Sequence, residues 1–185
     1  LTDLQLSLLS SAQLTTVVDG STDTLLFELG TDVTKLSATQ VSGLAANITG
    51  LDDAQISALT LSQVNALSTT QLNAFTTTQF ALLDVTDLTT AQVAGVTPAQ
   101  FDVTQVAAFT ASQLRSITPA NLATFSNGQL GAIDAALIPQ LTFDQLDALS
   151  EAQVAELTAY DTNLSAEQKG FLMDKYPGST TLTLT

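Results

Sequence analysis

Oxygen-bearing side chains are the first candidates for chemistry in this sequence. The stretch Asp19-Gly20-Ser21-Thr22-Asp23 places two carboxylates in a glycine turn, so Asp19 and Asp23 are candidate ligands for Ca²⁺. The stretch lacks the complete EF-hand loop and its distal bidentate glutamate. We therefore favour the simpler interpretation, an acidic surface turn, and expect no cofactor apart from this possible Ca²⁺.

Catalytic chemistry has little support in the residue types. The sequence contains no histidine and no cysteine, so its many serines and threonines have no imidazole to activate them. Paired carboxylates remain an alternative, but the aspartates concerned fall where helices are predicted to start, and the helix dipole favours them there. These are Asp52, Asp53, Asp102, Asp134 and Asp144. We predict that the protein is not an enzyme.

The charge balance narrows the class of partner. Four basic residues, Lys35, Arg115, Lys169 and Lys175, face eighteen acidic ones, which gives a net charge of −14. Four scattered cations cannot form a groove for phosphates, so a nucleic-acid partner is not expected. Anionic membrane surfaces should repel the chain. No apolar run approaches the roughly 20 residues that a membrane-spanning helix needs.

A repeated glutamine is the strongest signal in the chain. The pattern of Ser, Thr or Asp, two further residues, Gln and then an apolar residue occurs fourteen times, mostly at steps of eight residues. Thr118 and Asp84 head variant units, with Asn121 and Asp87 in place of the glutamine. Two steps of five, from the variant at 84 to 89 and from 97 to 102, interrupt the register. The pattern starts at residues 2, 10, 37, 52, 60, 68, 76, 89, 97, 102, 110, 126, 142 and 150. Such self-similarity is typical of repeat architectures.

The physics of one octad explains the glutamine. Thr60 stands at an N-cap, and Gln63 three residues later can reach back to the Thr60 N–H, which makes a capping box. Leu59 and Val64 form the accompanying hydrophobic staple. The pairs that we assign this role are Thr60 and Gln63, Ser68 and Gln71, Thr76 and Gln79, and Thr110 and Gln113. A ladder of glutamine amides between neighbouring coils is the alternative, and local capping is preferred.

These short units predict the fold. An octad leaves a helix of about 5–7 residues, far too short to be stable alone, so neighbouring units must stack. We therefore predict a mostly all-α, solenoid-like array of very short capped helices, with two octads, about 16 residues, in each coil. One continuous helix is disfavoured because Pro98, Pro119 and Pro139 would break it. A β-helix is disfavoured because the octad does not alternate.

The two ends of the repeat region differ from the middle. Residues 17–35 hold two glycines and no octad, and residues 25–29 fit either a strand or a short helix. Thr181, Leu182, Thr183 and Leu184 alternate as in a β-strand, which would need a partner strand in the insert or in another molecule. The expected segments are 1–16, N-terminal octads; 17–35, an insert; 36–160, the octad array; 161–176, a capping helix; and 177–185, a terminal strand.

The octads resemble a known type of repeat. Leu67-Ser-Thr-Thr-Gln-Leu-Asn-Ala-Phe75 and Leu88-Thr-Thr-Ala-Gln-Val-Ala-Gly-Val96 resemble the Leu-Thr-x-x-Gln-Val-x-Ala repeats of large, adhesin-like secreted and surface proteins of bacteria. The resemblance covers roughly residues 37–157 together with residues 1–14. It implies a non-enzymatic structural role outside the cell or on its surface.

Two functional hypotheses follow. The leading one is a rod, a stalk or a self-assembling filament subunit, in which the Thr/Leu tail joins copies head to tail. The alternative is a solenoid binding module for a peptide or a carbohydrate. The sequence does not identify a ligand.

Overall fold

The computed structural model describes residues 2–16, 24–158 and 163–179. Almost all secondary structure in these ranges consists of very short helices. The α-helices are α1 Asp3–Ser7, α2 Ser11–Leu14, α3 Leu25–Glu28, α4 Ala38–Ser42, α5 Asp53–Ser57, α6 Leu61–Ala66, α7 Thr69–Ala74, α8 Thr77–Phe80, α9 Thr90–Gly95, α10 Val103–Ala107, α11 Ala111–Ser116, α12 Pro119–Leu122, α13 Asn127–Gly131, α14 Phe143–Ala148, α15 Glu151–Thr158 and α16 Ala166–Lys175. The 3₁₀ helices are Gly30–Lys35, Ala45–Gly50, Val85–Asp87, Pro98–Gln100 and Ala135–Gln140.

The predicted all-α array of short helices is confirmed. The small β element is not confirmed, because the described ranges contain no strand. Part of the predicted insert is helical instead: Thr24 caps α3, and a 3₁₀ helix follows it. Residues 17–23 and 180–185, where the rest of the predicted β element would fall, lie outside the described residues.

The chain divides into two compact units, Leu1–Leu88 and Thr89–Thr185, and the division falls inside the predicted 36–160 array. In the second unit α10 packs against α13 and α13 against α15. These helices start at residues 103, 127 and 151, so each packs on the one that starts 24 residues earlier. A second column contains α12, α14 and α16, and a third contains α9, α11 and the 3₁₀ helix Ala135–Gln140.

The chain visits these three columns in turn, so each coil has three sides and about three octads. The expectation of two octads in a coil is therefore wrong. The first unit follows the same rule, since α4 packs against α6 and α7 packs against the 3₁₀ helix Ala45–Gly50. Octad spacing alone shows where a helix starts, whereas the number of sides depends on the angle at each corner.

The five-residue steps shorten a side without removing it. The step from 97 to 102 leaves room for a single 3₁₀ turn, Pro98–Gln100, in which Thr97 makes no side-chain cap hydrogen bond. The step from 84 to 89 likewise forms the 3₁₀ turn Val85–Asp87. A tighter helix with fewer residues still carries the chain from one corner to the next.

The core consists of the apolar residues that flank each cap. The residue four positions after a cap and the residue just before the next cap are buried in most octads, as are Val64 in α6 and Leu67 directly after it. Phe101 and Phe109 fill two such places in the second unit, with ring centroids 5.1 Å apart in an edge-on arrangement. One helix contributes only one or two such residues, so burial depends on the neighbouring coils.

We expect the lowered pKa of Asp84 to give a small pH dependence to the corner at Val85–Asp87. The Thr86 hydroxyl and then the Thr86 backbone N–H donate to the Asp84 carboxylate and hold its pKa below the usual value. A lowered folded-state pKa adds stability above the unfolded pKa, near 3.9, which is lost as the pH falls through the folded-state pKa. An NMR titration of the Asp84 carboxyl should show the shift, and Thr86→Val should reduce it. A midpoint that Thr86→Val leaves unchanged would contradict this assignment.

Candidate functional site

The repeat glutamines make a second contact in addition to the predicted cap. In α6, Gln63 Oε1 accepts from the Thr60 N–H at 2.8 Å and from the Thr60 hydroxyl at 3.1 Å. Gln63 Nε2 donates to the carbonyls of Val33 and Leu36, both at 2.8 Å, which lie 30 and 27 residues earlier. We call this arrangement a glutamine clamp: Oε1 caps its own helix, and Nε2 binds carbonyls where a helix of the preceding coil ends.

The clamp recurs in both units. The glutamine Nε2 atoms bind the following carbonyls: Gln40 those of Leu6 and Leu9; Gln129 those of Pro98 and Phe101; Gln145 those of Leu114 and Ile117; Gln153 those of Ala123 and Phe125; and Gln168 those of Ile138, Pro139 and Leu141. These acceptors belong to the last turn of a helix or lie at most three residues beyond its end. Backbone carbonyls at the end of a helix have no partner within the helix. The glutamines therefore join the start of one helix to the end of another.

Glutamine is the residue type that fits this place. Its amide has one acceptor oxygen and two N–H donors, and the Gln63 clamp uses all of them without burying a charge. A glutamate could form the capping box, but it has no donor for the carbonyls when ionised. The buried polar side chains of the described residues are all repeat glutamines: Gln40, Gln55, Gln63, Gln71, Gln92, Gln105, Gln113, Gln129, Gln145 and Gln168.

The predicted capping residues occupy the expected positions. The structure forms a capping box at each of the four pairs named above: Thr60 and Gln63, Ser68 and Gln71, Thr76 and Gln79, and Thr110 and Gln113. The preference for purely local capping was incomplete. In addition to the local cap, the amide of Gln63 bridges to the preceding coil, where its Nε2 donates to backbone carbonyls and not to another glutamine amide.

At two positions a residue other than glutamine donates to the carbonyls at the end of a helix in the preceding coil. Asn121 Nδ2 donates to the Ala94 carbonyl at 3.2 Å, so a shorter amide keeps one contact with the preceding coil. At the end of α14, Lys175 Nζ binds the carbonyls of Leu146, Asp147 and Leu149, and the Tyr176 hydroxyl donates to Leu149 at 2.6 Å. A cation at a helix C-terminus also interacts favourably with the helix dipole.

The octad pattern does not identify four of the capping residues, Ser165, Gln168, Lys175 and Tyr176. Ser165 and Gln168 have the octad spacing, but Lys169 follows the glutamine where the pattern requires an apolar residue. Leu172, one helical turn later, is fully buried in that helix. Lys175 and Tyr176 carry no octad signal, so only the tertiary structure identifies them as a cap for α14.

Two corners adopt a different backbone. Gly30 and Ala45 each begin a 3₁₀ helix with a positive φ, of 50° and 48° respectively. Glycine adopts this conformation freely, whereas alanine is strained by its Cβ. Both residues follow a leucine, Leu29 or Leu44, so the two corners are structurally equivalent.

We expect opposite effects from exchanging these two residues. Ala45→Gly should relieve strain and raise the free energy of unfolding by up to about 1 kcal/mol, while Gly30→Ala should lower it by about 1–2 kcal/mol. A Cβ at Gly30 would meet nothing within 4 Å, so the second effect reports the backbone and not a clash. Urea unfolding of the two variants would measure both, and a stabilising Gly30→Ala would contradict the assignment.

The remaining candidate residues do not form a chemical site in the described part of the chain. Asp19 and Asp23, the possible Ca²⁺ ligands, lie outside the described residues, and so do Thr181, Leu182, Thr183 and Leu184 of the predicted assembly strand. Among the described residues, no group of three or more His, Cys, Asp or Glu side chains could hold a metal ion. None of the helices described is long and apolar enough to cross a membrane.

Surface charges add one contact between elements of the first unit. Lys35 lies 3.1 Å from the Asp3 carboxylate and 3.3 Å from that of Asp32, and these two hydrogen-bonded carboxylates raise the pKa of Lys35. Exposed ion pairs contribute little to stability. This pair therefore adds a minor link between α1 and Gly30–Lys35.

Comparisons of this chain with protein families, with curated proteins and with solved structures found no match.

Proposed function

We propose that this chain is a non-enzymatic structural protein of the bacterial cell surface or its surroundings, whose stacked coils serve as a rod, stalk or filament subunit. The glutamine clamp carries this proposal. Buried glutamine amides such as those of Gln63 and Gln145 join one coil to the preceding one, and among the described residues no group of three or more His, Cys, Asp or Glu side chains could hold a metal ion. Stacking repeats in this way makes neighbour contacts the source of stability, as in other solenoids.

Composition supports an exposed location. The polar residues are mainly uncharged Ser, Thr, Gln and Asn, and the four basic residues offer few cleavage sites to trypsin-like proteases. The resemblance of the octads to repeats of adhesin-like proteins supports the same setting.

Gln5 and Gln13 suggest how copies could join. Each closes a capping box with Thr2 or Ser10, but both glutamines are exposed, and neither Nε2 meets a carbonyl in the part of the chain described. Their counterparts Gln40 and Gln63 bind the helix ends of a preceding coil. A coil stacked on α1 and α2 would supply such carbonyls, and a second copy in that place would give a head-to-tail contact that propagates. The segment Thr181 to Leu184, whose sequence predicts a strand and which lies outside the described residues, is the other candidate joint.

Negative-stain electron microscopy and light scattering across a concentration series would test assembly. The proposal predicts regular filaments or growing oligomers for the intact chain. The double variant Gln5→Glu/Gln13→Glu keeps both capping boxes but loses the amide donors, so it should stop growth if coil stacking is the joint. A chain lacking residues 178–185 should stop growth only if the tail is the joint.

Each outcome assigns a role. Growth that survives the truncation eliminates the tail strand, and growth that survives the double variant eliminates the stacking contact. Isolated particles at every concentration would remove the filament form of the proposal. A rod or stalk role would then depend on a second test, whether the chain is displayed at the surface of its native cell, which antibody labelling of intact cells would measure.

A further inference from the structure

One clamp in the first unit is incomplete. Gln71 is 3% exposed, and its Oε1 accepts from the Ser68 N–H and hydroxyl in the usual way. Among the described residues its Nε2 makes a single hydrogen bond, to the Val41 carbonyl at 3.3 Å. In the Gln63 clamp both N–H groups have acceptors at 2.8 Å, so Gln71 has a buried donor left over.

The backbone at the corner explains the missing acceptor. In the complete clamp the second carbonyl belongs to Leu36, whose extended ψ of 141° directs it away from its own helix. The equivalent residue, Leu44, has ψ −19° because the chain enters the 3₁₀ helix directly. The Leu44 carbonyl instead accepts from the Asn47 N–H at 2.9 Å. The Leu44 carbonyl is thus not available to Gln71, and within the described residues one Gln71 N–H has no acceptor.

A groove lies at the same corner. It has a volume of about 270 Å³, and Gln71 is one of the residues that line it. Alanine methyl groups and hydroxyl groups form the rest of the lining: Ser42, Ala45, Ala46, Ala66, Ser68, Thr70 and Ala74. The lining therefore combines a buried amide donor, small apolar surfaces and hydroxyls.

We infer that this groove binds a small neutral ligand through an amide carbonyl, and that the ligand is an acetamido sugar. The Gln71 Nε2 donates its second hydrogen to the acetamido oxygen, which restores the pair of acceptors that the Gln63 clamp has. The acetamido methyl lies against the alanines, and the sugar hydroxyls face Ser42 and Thr70. This inference does not depend on the structural role proposed above.

The chemistry of the lining defines the ligand class. No charged residue lines the groove, so an ionic ligand would lose hydration without gaining a partner. No aromatic residue lines it, so a flat ring has nothing to stack on. The volume lies at the lower limit of small-molecule sites, which suits one sugar unit and not a helix or a long peptide.

An NMR titration of the whole chain tests the inference, with the side-chain NH₂ signals as the readout. N-acetylglucosamine should shift the Gln71 NH₂ pair in a saturable way and leave the Gln63 pair unchanged. Glucose, which lacks the acetamido group, should shift neither. N-acetylalanine methylamide presents the same carbonyl in a peptide setting and serves as the competing source.

Two variants separate binding from folding. Ala74 is an exposed residue at the end of α7, so Ala74→Phe should fill the groove, leave the fold intact and weaken binding of the sugar about tenfold or more. Ala108 is exposed, stands at the same place in its own octad and is not in the groove. Ala108→Phe is the matched control and should leave the titration unchanged.

The titration and the two variants give distinct outcomes for and against the sugar site. A saturable shift of the Gln71 NH₂ that requires the acetamido group and is lost in Ala74→Phe supports the site. No shift at millimolar sugar, an equal shift with glucose, or binding of the peptide analogue in preference to the sugar would overturn it.

Discussion

Gln63→Glu should lower the free energy of unfolding by about 3–5 kcal/mol at neutral pH, the cost of leaving a buried charge without a partner. Gln63 is 1% exposed, and its Nε2 lies 2.8 Å from two carbonyl oxygens. An ionised carboxylate would oppose those oxygens and donate nothing to them. Urea unfolding followed by circular dichroism would measure the loss, and hydrogen exchange would show whether it spreads beyond α6.

The same substitution at Gln5 is the matched control. Gln5 closes a capping box with Thr2 but is exposed, and a glutamate can close that box equally well. Gln5→Glu should therefore change the stability of the monomer by no more than about 0.5 kcal/mol. Equal losses at the two sites would show that the glutamines act only as local caps, which would remove the physical basis of the clamp.

The loss at Gln63→Glu should also depend on pH. Burial raises the pKa of the introduced carboxyl above its unfolded value, which is near 4.3. Below the unfolded pKa the carboxyl is neutral in both states, so the deficit is smallest there. The deficit grows as the pH rises from the unfolded to the folded pKa, since only the unfolded state then releases the proton. A deficit that does not vary between about pH 3 and 7 would argue against a buried carboxylate.

Leu72→Ala should cost about 2–5 kcal/mol, through lost burial and the cavity that remains. Leu72 follows Gln71 in α7 and is completely buried, because the clamp draws this side of the helix against the preceding coil. Thermal and urea unfolding would give the loss. We expect a large effect because each short helix is held in place by only one or two buried side chains.

Leu61→Ala provides the comparison within the adjacent helix. Leu61 is the first residue of α6 and is 54% exposed, so the same substitution should change stability by less than about 0.5 kcal/mol. If the two leucines responded equally, the burial pattern of the octad would be wrong. The contrast would hold even if the two units unfold separately, since both residues belong to the first unit.

Local patterns predicted local structure well in this chain. A Ser, Thr or Asp followed three residues later by Gln specifies a helix start within four residues, and no distant contact is needed for Thr60 and Gln63 to meet. The same logic fails where the pattern or the spacing to the next unit is altered. The capping box at Ser165 is not predicted because Lys169 stands where the pattern requires an apolar residue. After Thr97 only one 3₁₀ turn forms instead of a helix, because the next cap, Asp102, follows after five residues.

The candidate site depended on contacts that local patterns do not encode. The carbonyls that Gln63 binds lie 27 and 30 residues earlier, and their distance in space is set by the three-sided coil. Gln71 lacks the second carbonyl because Leu44 has a helical instead of an extended ψ, and the Leu44 carbonyl accepts from the Asn47 N–H instead. Rotation of one backbone ψ moves a carbonyl from one hydrogen-bond donor to another, and the octad sequence gives no sign of it.

The sequence by itself thus determined the helix starts, the capping residues, the alternation of buried and exposed positions and the absence of histidine and cysteine chemistry. These depend on interactions within one octad and on composition. Only the tertiary structure decided the three sides of each coil, the second partner of every clamp, the cap formed by Lys175 and the unused donor of Gln71. Those features depend on contacts between residues in different coils, and such contacts stabilise the chain only once the coils are stacked.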